Sequence, residues 1–250
     1  VIARNPSKFS YHGTGTYILG TKDVVVIDPG PKLDSHRDAL IAALEGRNVV
    51  GIVVTHCHSD HSPLTEWLHA ETNATRFAIG PYRVYEGFVE EDDHDPSEDD
   101  PEDKKDESEE ERETVDLAFA PDEAVKDGDV FFQTSEFSLT AVATPGHTSN
   151  HLSVAMDVDQ ALFTGDHVMG WSTSLVSPPD GDMGAYMASL HKLEQRKWRR
   201  FLPGHGEPVD DPATRLAALV RQARPAHHGR LWHDGKRRHL ACHLPRHSAS

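Results

Sequence analysis

The chain of 250 residues is long enough to bury a large hydrophobic core, and its 37% hydrophobic and 26% charged residues describe a soluble globular protein. No run of eighteen apolar residues occurs, which excludes a membrane-spanning helix. The formal net charge of −16 argues neither for nor against nucleic acid, because residues 90–113 hold sixteen acidic and three basic residues and carry most of that charge.

The sequence shows no feature that directs export. Its first ten residues lack the apolar stretch of a secretory signal, and the chain does not begin with Met. Only two cysteines occur, Cys57 and Cys242, and because they lie far apart a disulfide framework is not expected. We therefore expect a cytoplasmic location and no membrane partner.

The N-terminal third alternates β-branched runs with two helical patterns. The predicted strands are residues 14–20, 24–28, 49–55 and 74–79, the first two forming a hairpin and the third being a continuous apolar run typical of a buried strand. The predicted helices are residues 35–46 and 62–70. Gly46 is the predicted end of the first helix, and Ser62 is the predicted cap of the second, with Pro63 in its first turn.

The C-terminal half repeats this mixture of strands and helices. The predicted strands are residues 130–132, 138–143, 151–156, 161–164 and 200–202, and the predicted helices are residues 183–198 and 212–221. Two halves of similar content, each with strands and helices, favour a sandwich of sheets covered by helices.

Two segments fall outside this pattern. Residues 90–113 contain almost no apolar residues, so we predict a mobile acidic surface insertion, either a plain solvated loop or a regulatory or substrate-excluding one. Residues 221–250 hold seven Lys or Arg and six of the eighteen histidines without periodicity. We predict a disordered or non-native tail there, with a metal- or nucleic-acid-binding tail as the alternative. The folded domain is therefore predicted to span residues 1–220.

The strongest chemical signal is the segment THCHSDH at residues 55–61, directly after a predicted buried strand. Neutral imidazole and carboxylate are ligands that Zn²⁺ accepts at about 2.0–2.2 Å. Side chains alternate along an extended loop, so His56 and His58 point to the same side and can share one ion. Asp60 and His61, further round the turn, can face a second ion.

Three later loops repeat one architecture, in which a strand ends at a glycine beside a ligand-type residue. They are TPGH at residues 144–147, TGDH at 164–167 and LPGHG at 202–206. A glycine beside the ligand lets the backbone pass close to an ion. Together with the first motif, these loops add His147, Asp166 and His205 to the candidate metal ligands.

With these four motifs, the chain resembles the metallo-β-lactamase superfamily over about residues 14–215, most closely its lactamase-beta-like branch. The resemblance implies an α+β fold, a four-layer αββα sandwich with two metal ions at one edge. It also implies the role of each ligand: His56, His58 and His147 hold the first ion, Asp60, His61 and His205 hold the second, and Asp166 bridges both.

The resemblance further implies a hydrolase with two Zn²⁺ per chain. Two divalent ions about 3.5–4 Å apart can hold a hydroxide between them and polarise the bond that it attacks. Asp60 is expected to orient that hydroxide, which makes Asp60 and Asp166 the predicted catalytic residues. True β-lactamases of the superfamily usually have Cys or Ser at the position of Asp166, so we expect a small ester, thioester or related anionic substrate instead.

Weaker predictions concern residues around the ligands. Asp28 and Thr55 are candidates to hydrogen-bond a ligating imidazole, although Asp28 could equally serve the turn before Pro29. His151 and His167 are candidates either for substrate contact or for packing. Cys57 is expected to point away from the ions. A cluster of five cations before His205 predicts either a basic rim for an anion or ordinary charges at a helix end: Lys192, Arg196, Lys197, Arg199 and Arg200.

Alternative functions remain open. One is a single-strand-specific endoribonuclease, although no RNA-binding module is legible and residues 221–250 lack the helical extension of such relatives. The others are a true β-lactamase, a metal-binding protein without catalysis, and a redox protein with iron in the same cage. The retained His58 favours zinc over iron, and the presence of all seven ligands argues against lost catalysis.

Overall fold

A computed structural model describes residues 1–82 and 114–223. In these residues, strands with alternating apolar side chains form two five-stranded sheets. The first sheet has the order β1-β2-β3-β4-β5, with strands β1 (Tyr17–Leu19), β2 (Asp23–Ile27), β3 (Asn48–Val53), β4 (Thr75–Ala78) and β5 (Glu123–Ala124). The second has the order β10-β9-β8-β7-β6, with strands β6 (Val130–Gln133), β7 (Ser138–Ala143), β8 (Leu152–Met156), β9 (Ala161–Gly165) and β10 (Arg200–Pro203).

Within the described residues, four helices cover the outer faces of the two sheets. They are α1 (Asp34–Leu44), α2 (Leu64–Thr72), α3 (Met183–Glu194) and α4 (Pro212–Ala223). Leu44 of α1 and Leu68 of α2 pack with Val24 and Val26 on the outside of the first sheet, and α3 and α4 pack in the same way on the second. The predicted αββα sandwich is confirmed.

The core between the sheets follows from the period-two alternation of strand side chains. In β2, Val25 and Ile27 face the second sheet while Val24 and Val26 face the helices. In β9, Phe163 faces inward and its neighbour Leu162 faces α3 and α4. Burying one such side chain stabilises the fold by about 1.5–3 kcal/mol, so this alternation fixes which face of each strand is internal.

Strand direction brings four loops to one edge of the sandwich. In the first sheet β2 and β3 run parallel. In the second sheet β9 and β10 run parallel, and β7 shares their direction because both β7 and β9 are antiparallel to β8. The two sheets meet here through a hydrogen bond from the Leu152 N–H to the Thr55 carbonyl (2.7 Å). We call this the ligand edge, where β3, β7, β9 and β10 end.

The hairpin of β1 and β2 is confirmed, and Gly46 follows α1 with a left-handed φ of +73°. The capping role of Ser62 is wrong: Pro63 occupies the cap position, and the Ser62 hydroxyl donates to Asp116 (2.8 Å) instead.

Helix α3 ends at Glu194 rather than at residue 198, since the Trp198 indole N–H donates to the carbonyl of Leu193 in its last turn (3.0 Å). Strand β5 was not predicted because it has only two residues, both exposed.

The predicted acidic insertion 90–113 lies outside the described residues, as does the tail after residue 223. Residues 221–223 belong to α4, so the final helix extends three residues beyond the predicted domain boundary at 220. Within the two described ranges, no helix combines the length and apolar character needed to cross a membrane.

Candidate metal centre

The structure brings all seven predicted ligand residues together at the ligand edge. Four of them follow β3, and one each follows β7, β9 and β10. The loop after β3 is tightened by hydrogen bonds from the N–H groups of residues 61 and 62 to the carbonyl of His58 (3.0 and 3.2 Å). The seven residues are His56, His58, Asp60, His61, His147, Asp166 and His205.

Three imidazoles form a first ligand group. His56 Nε2 lies 3.1 Å from His58 Nδ1, which in turn lies 3.1 Å from His147 Nε2. All three residues are buried. Their three nitrogens lie within 4.8 Å of one another, which suits a single ion.

A second group contains Asp60, His61 and His205. The Nε2 atoms of His61 and His205 lie 3.5 and 3.3 Å from Asp60 Oδ2. The two imidazoles are buried, whereas 27% of the Asp60 side chain is exposed. Asp60 is therefore the residue through which this group is exposed to solvent.

The carboxylate of Asp166 lies between the two groups. Its Oδ2 is 4.0 Å from His56 Nε2 and 3.9 Å from His147 Nε2, on the first side. The same oxygen is 3.1 Å from His205 Nε2, and Oδ1 is 3.5 Å from His61 Nε2, on the second side. One carboxylate thus faces imidazoles of both groups.

In three of the imidazoles, a hydrogen bond on the side of the ring away from the ligand groups determines which ring nitrogen faces those groups. Because the Nδ1–H of these rings is used in a hydrogen bond to an oxygen, Nε2 is the nitrogen that is left to face a metal. The donations are from His61 to Asp28 Oδ2 (3.0 Å), from His147 to the Leu175 carbonyl (2.6 Å) and from His205 to the Gly13 carbonyl (3.2 Å).

Asp28 and Thr55 orient the ligand loop. Asp28 accepts the backbone N–H and the hydroxyl of Thr55, both at 2.8 Å. Because the Thr55 hydroxyl hydrogen is used in this way, its oxygen is left to accept Nδ1–H of His56 (3.0 Å). One buried carboxylate therefore holds His61 directly and His56 through Thr55.

Replacing Asp28 by Ala is expected to weaken zinc binding by about 10–100-fold, the usual cost of losing a partner behind a metal ligand. Each buried donor left without an acceptor should also cost about 1–3 kcal/mol of folding free energy. A zinc competition titration and thermal melting measure the two effects. Asp23→Ala is the matched control, because Asp23 begins the same strand but is exposed and pairs only with Asn48 among the described contacts. Equal zinc affinity in both variants would contradict this role.

The nitrogen and oxygen atoms that face one another at this site suit a cation. His61 Nε2 and Asp166 Oδ1 are fully buried, yet neither has a hydrogen-bond partner among the described residues. Leaving such atoms unpaired is costly, and a metal ion would satisfy both. Burial lowers the pKa of His56 well below its usual value and that of His58 to about 3, so both rings are neutral, as ligation requires.

Charge is concentrated on the second side of the centre. Burial alone would lower the pKa of His61 and His205, but the carboxylates of Asp60 and Asp166 outweigh burial. The pKa of His61 is raised well above its usual value and that of His205 to about 10. Burial would likewise raise the pKa of each carboxyl group, but these histidines lower both. The two carboxylates are therefore ionised and attract positive charge.

Thr14 contacts the candidate ligand Asp60, which the sequence did not predict. Its hydroxyl donates to Asp60 Oδ2 (2.7 Å), and the Asn5 amide donates to the same hydroxyl oxygen (2.9 Å). The segment before β1 thus fixes the rotation of Asp60. No local pattern at residues 12–16 points to a partner 46 residues away.

His151 and His167 are both fully buried, so the structure does not place either ring where a substrate could reach it. His151 Nε2 accepts the backbone N–H of Asp166 (3.2 Å), and its Nδ1 meets the Thr144 hydroxyl (2.9 Å). His167 packs against the ring of Tyr186 (4.7 Å between centroids). For these two residues the packing alternative agrees with the geometry better than substrate contact does.

Cys57 points away from the ligands, into a small apolar cluster with Val54 and Phe119. Its sulfur accepts a hydrogen bond from the Asn150 amide (3.1 Å). Burial raises the pKa of the thiol to about 11, so it is neither a ligand nor a thiolate nucleophile here.

The basic cluster lies at the end of α3 and the start of β10. Arg200 begins β10 and His205 follows its other end, so the strand separates Arg200 from the ligand edge. Lys192 Nζ, in contrast, donates to the carbonyl of Ala143, the last residue of β7 (2.9 Å). Lys192 pairs with Asp127, and Arg200 pairs with Asp210 (2.6 Å). The structure thus argues against an anion-binding rim at Arg200, and a rim formed by the other cations stays a prediction.

Comparison with known proteins identifies the family. The model of the metallo-beta-lactamase superfamily matches residues 12–205. The chain is 27% identical over 226 residues to the atrochrysone carboxyl ACP thioesterase of Cryptosporiopsis sp. (strain 8999), covering 89% of this chain and 58% of that protein. It is 30% identical over 214 residues to the beta-lactamase-like protein 2 homolog of Caenorhabditis elegans, covering 84% and 61%.

The chain thus spans about three-fifths of the length of these curated relatives. A solved metallo-beta-lactamase family protein from Thermus thermophilus has the same fold, with a TM-score of 0.68 and 21% identity over 87% of this chain and 76% of that one. The C. elegans relative supports the lactamase-beta-like branch. Because the family match includes all seven clustered side chains, the chain belongs to the metallo-beta-lactamase superfamily.

Proposed function

We propose that the protein is a zinc-dependent hydrolase with a two-metal centre that cleaves small thioesters. The observation that carries this proposal is the single carboxylate of Asp166 between two ligand groups. His56, His58 and His147 would hold the first ion, Asp60, His61 and His205 the second, and Asp166 both. That arrangement is the one expected of a centre built for two ions rather than one.

The chemistry divides between the ions and the protein. When bound, two divalent ions supply a nucleophile derived from water at neutral pH and polarise the bond to be cleaved. The chain keeps His56 and His58 neutral by burial and fixes the inward nitrogen of each imidazole that donates through Nδ1. Asp60, held by Thr14 and partly exposed, is the residue placed to accept a hydrogen bond at the solvent side of the centre.

Two observations support a thioester as the substrate class. A carboxylate occupies the position of Asp166, where the resemblance predicts Cys or Ser in true β-lactamases. One relative is a thioesterase by name, acting on an acyl group carried by ACP. Arg200 lies at the opposite end of β10 from the ligand edge and pairs with Asp210, which is evidence against a basic rim for RNA at that residue.

The test is metal analysis of the purified chain together with a substrate panel. We expect close to two zinc ions per chain after reconstitution, and hydrolysis of an acyl-pantetheine thioester faster than of a lactam, a bis-aryl phosphodiester or single-stranded RNA. His58→Ala should lose this hydrolysis, whereas the exposed His191→Ala should keep it.

Less than one zinc per chain after reconstitution would contradict the metal centre. Iron as the main metal of the purified chain would contradict zinc. Hydrolysis of RNA that disappears in His58→Ala, without thioester hydrolysis, would replace the proposed function by a ribonuclease.

A further inference from the structure

An open cavity of about 350 Å³ lies beside the loop that follows His205. Glu207, Pro208 and Val209 of that loop form one wall. The opposite walls are formed by two aromatic side chains and by a cation from α4: Tyr11, Trp171 and Arg215. We call this cavity the aromatic pocket. None of the seven candidate ligands lines it.

Both rings line the cavity and are partly exposed. Tyr11 and Trp171 stack with their centroids 4.8 Å apart and their planes inclined by 16°. Tyr11 is 40% exposed and Trp171 37%, so neither residue contributes mainly to the core. Exposed aromatic rings at the wall of a concave site are the surfaces on which planar ligand groups stack.

The backbone holds both rings in place. Tyr11 has a φ of +56°, a left-handed conformation uncommon for a residue with a side chain, and its N–H donates to the Ser7 carbonyl (3.1 Å). On the other side, the Arg215 guanidinium donates to the carbonyls of Met169 (2.6 Å) and Ser172, which flank Trp171. The pocket is therefore organised before any ligand binds.

Both rings are tied to segments that contact the metal centre. The carbonyl of Gly13, two residues after Tyr11, accepts the Nδ1–H of His205 (3.2 Å). Trp171 packs on Gly206, where an added Cβ would lie 2.5 Å from the ring atom Cδ1. The aromatic pocket therefore adjoins the second ligand group along both of these chain segments.

From this geometry we propose that the aromatic pocket binds a planar aromatic acyl group of the substrate, an inference that rests on the proposed thioester hydrolysis. Stacking favours a flat ring over a flexible alkyl chain, because a rigid ring can lie against an aromatic wall without losing rotamer freedom. The cavity volume is near the lower end of the roughly 300–1,000 Å³ found for ligand sites, which suits one or two fused rings.

A binding experiment tests the pocket without relying on hydrolysis. The probe is 2-naphthamide, a neutral planar amide without a carboxylate for the metals, and octanamide is the flexible comparison. Calorimetric titration of the zinc-loaded protein should show at least tenfold tighter binding of 2-naphthamide. Trp171→Ala should weaken that binding at least tenfold, and Trp171→Phe, which keeps a ring, should weaken it less.

The matched control is Trp67→Ala, which removes a tryptophan from the outer face of the first sheet, away from the pocket. It should bind 2-naphthamide as the unchanged protein does, and thermal melting verifies that each variant is folded. In hydrolysis, Trp171→Ala should raise KM for a naphthoyl thioester at least tenfold and leave KM for an octanoyl thioester unchanged.

Equal binding of 2-naphthamide by Trp171→Ala and Trp67→Ala would overturn the aromatic pocket, as would equal binding of the two amides by the unchanged protein. Trp171-dependent binding in a chain that hydrolyses no thioester would overturn the proposed function and support the pocket as a site for planar aromatic ligands. The two proposals therefore fail by different results.

Discussion

Replacing Asp166 by Asn is expected to reduce bound zinc from two ions per chain to one or none and to abolish most thioester hydrolysis. The substitution keeps the shape of the side chain but removes the negative charge that faces imidazoles on both sides. Loss of a partner behind a ligand costs about 10–100-fold in affinity or activity, and loss of a shared ligand should cost more than that. Zinc content by mass spectrometry and kcat/KM measure both effects.

The control for this prediction is Asp159→Asn. Asp159 lies in the turn between β8 and β9, and its side chain is 60% exposed beside Arg199. This variant loses the same charge at the surface and should keep both zinc ions and full activity. Two tightly bound zinc ions in Asp166→Asn, at unchanged kcat/KM, would show that Asp166 does not bridge the groups.

The clustering of the seven candidate ligands could be predicted from sequence because strand direction determines where a loop lies. Residues 55–61 follow a buried strand, and His147, Asp166 and His205 each follow a later strand at a glycine. Strands that share a direction end at the same edge of a sheet, so chemistry placed after such strands meets in space. The fold class followed from the same alternation of strands and helices.

The hydrogen bonds behind the ligands could not be predicted in the same way. His147 and His205 donate to the carbonyls of Leu175 and Gly13, and every residue of the chain offers the same backbone carbonyl whatever its side chain. Asp28 differs, because a carboxylate directly after a strand beside the ligand loop is a side-chain signal. A sequence shows which side chains are available but not which distant backbone group meets them.

Arg200 of the basic cluster shows the opposite case, in which residues close in sequence lie apart in the structure. Arg200 and His205 are close in sequence, yet strand β10 lies between them and each residue along a strand adds about 3.3 Å. Arg200 instead forms an ion pair with Asp210. Sequence proximity is a poor guide to shared function when an extended strand separates the residues.

Replacing Gly204 by Ala should disrupt the centre through a single methyl group. An added Cβ would lie 2.5 Å from Asp166 Oδ1 and 2.7 Å from His61 Cε1, closer than real contacts allow. The backbone cannot withdraw, because the Gly204 N–H donates to Gly165 and its carbonyl accepts from Gly15, both at 2.8 Å. Asp166 or His61 must therefore move, and we expect zinc affinity to fall at least about tenfold.

Overpacking of this kind should also cost about 1–3 kcal/mol of folding free energy. Zinc competition titration and thermal melting measure the two effects. Gly80→Ala is the matched control, because a Cβ there has no neighbour within 4 Å among the described residues and should change neither quantity. If Gly204→Ala bound zinc as tightly as Gly80→Ala, the Asp166 carboxylate could not lie against Gly204, and its position between the two ligand groups would be wrong.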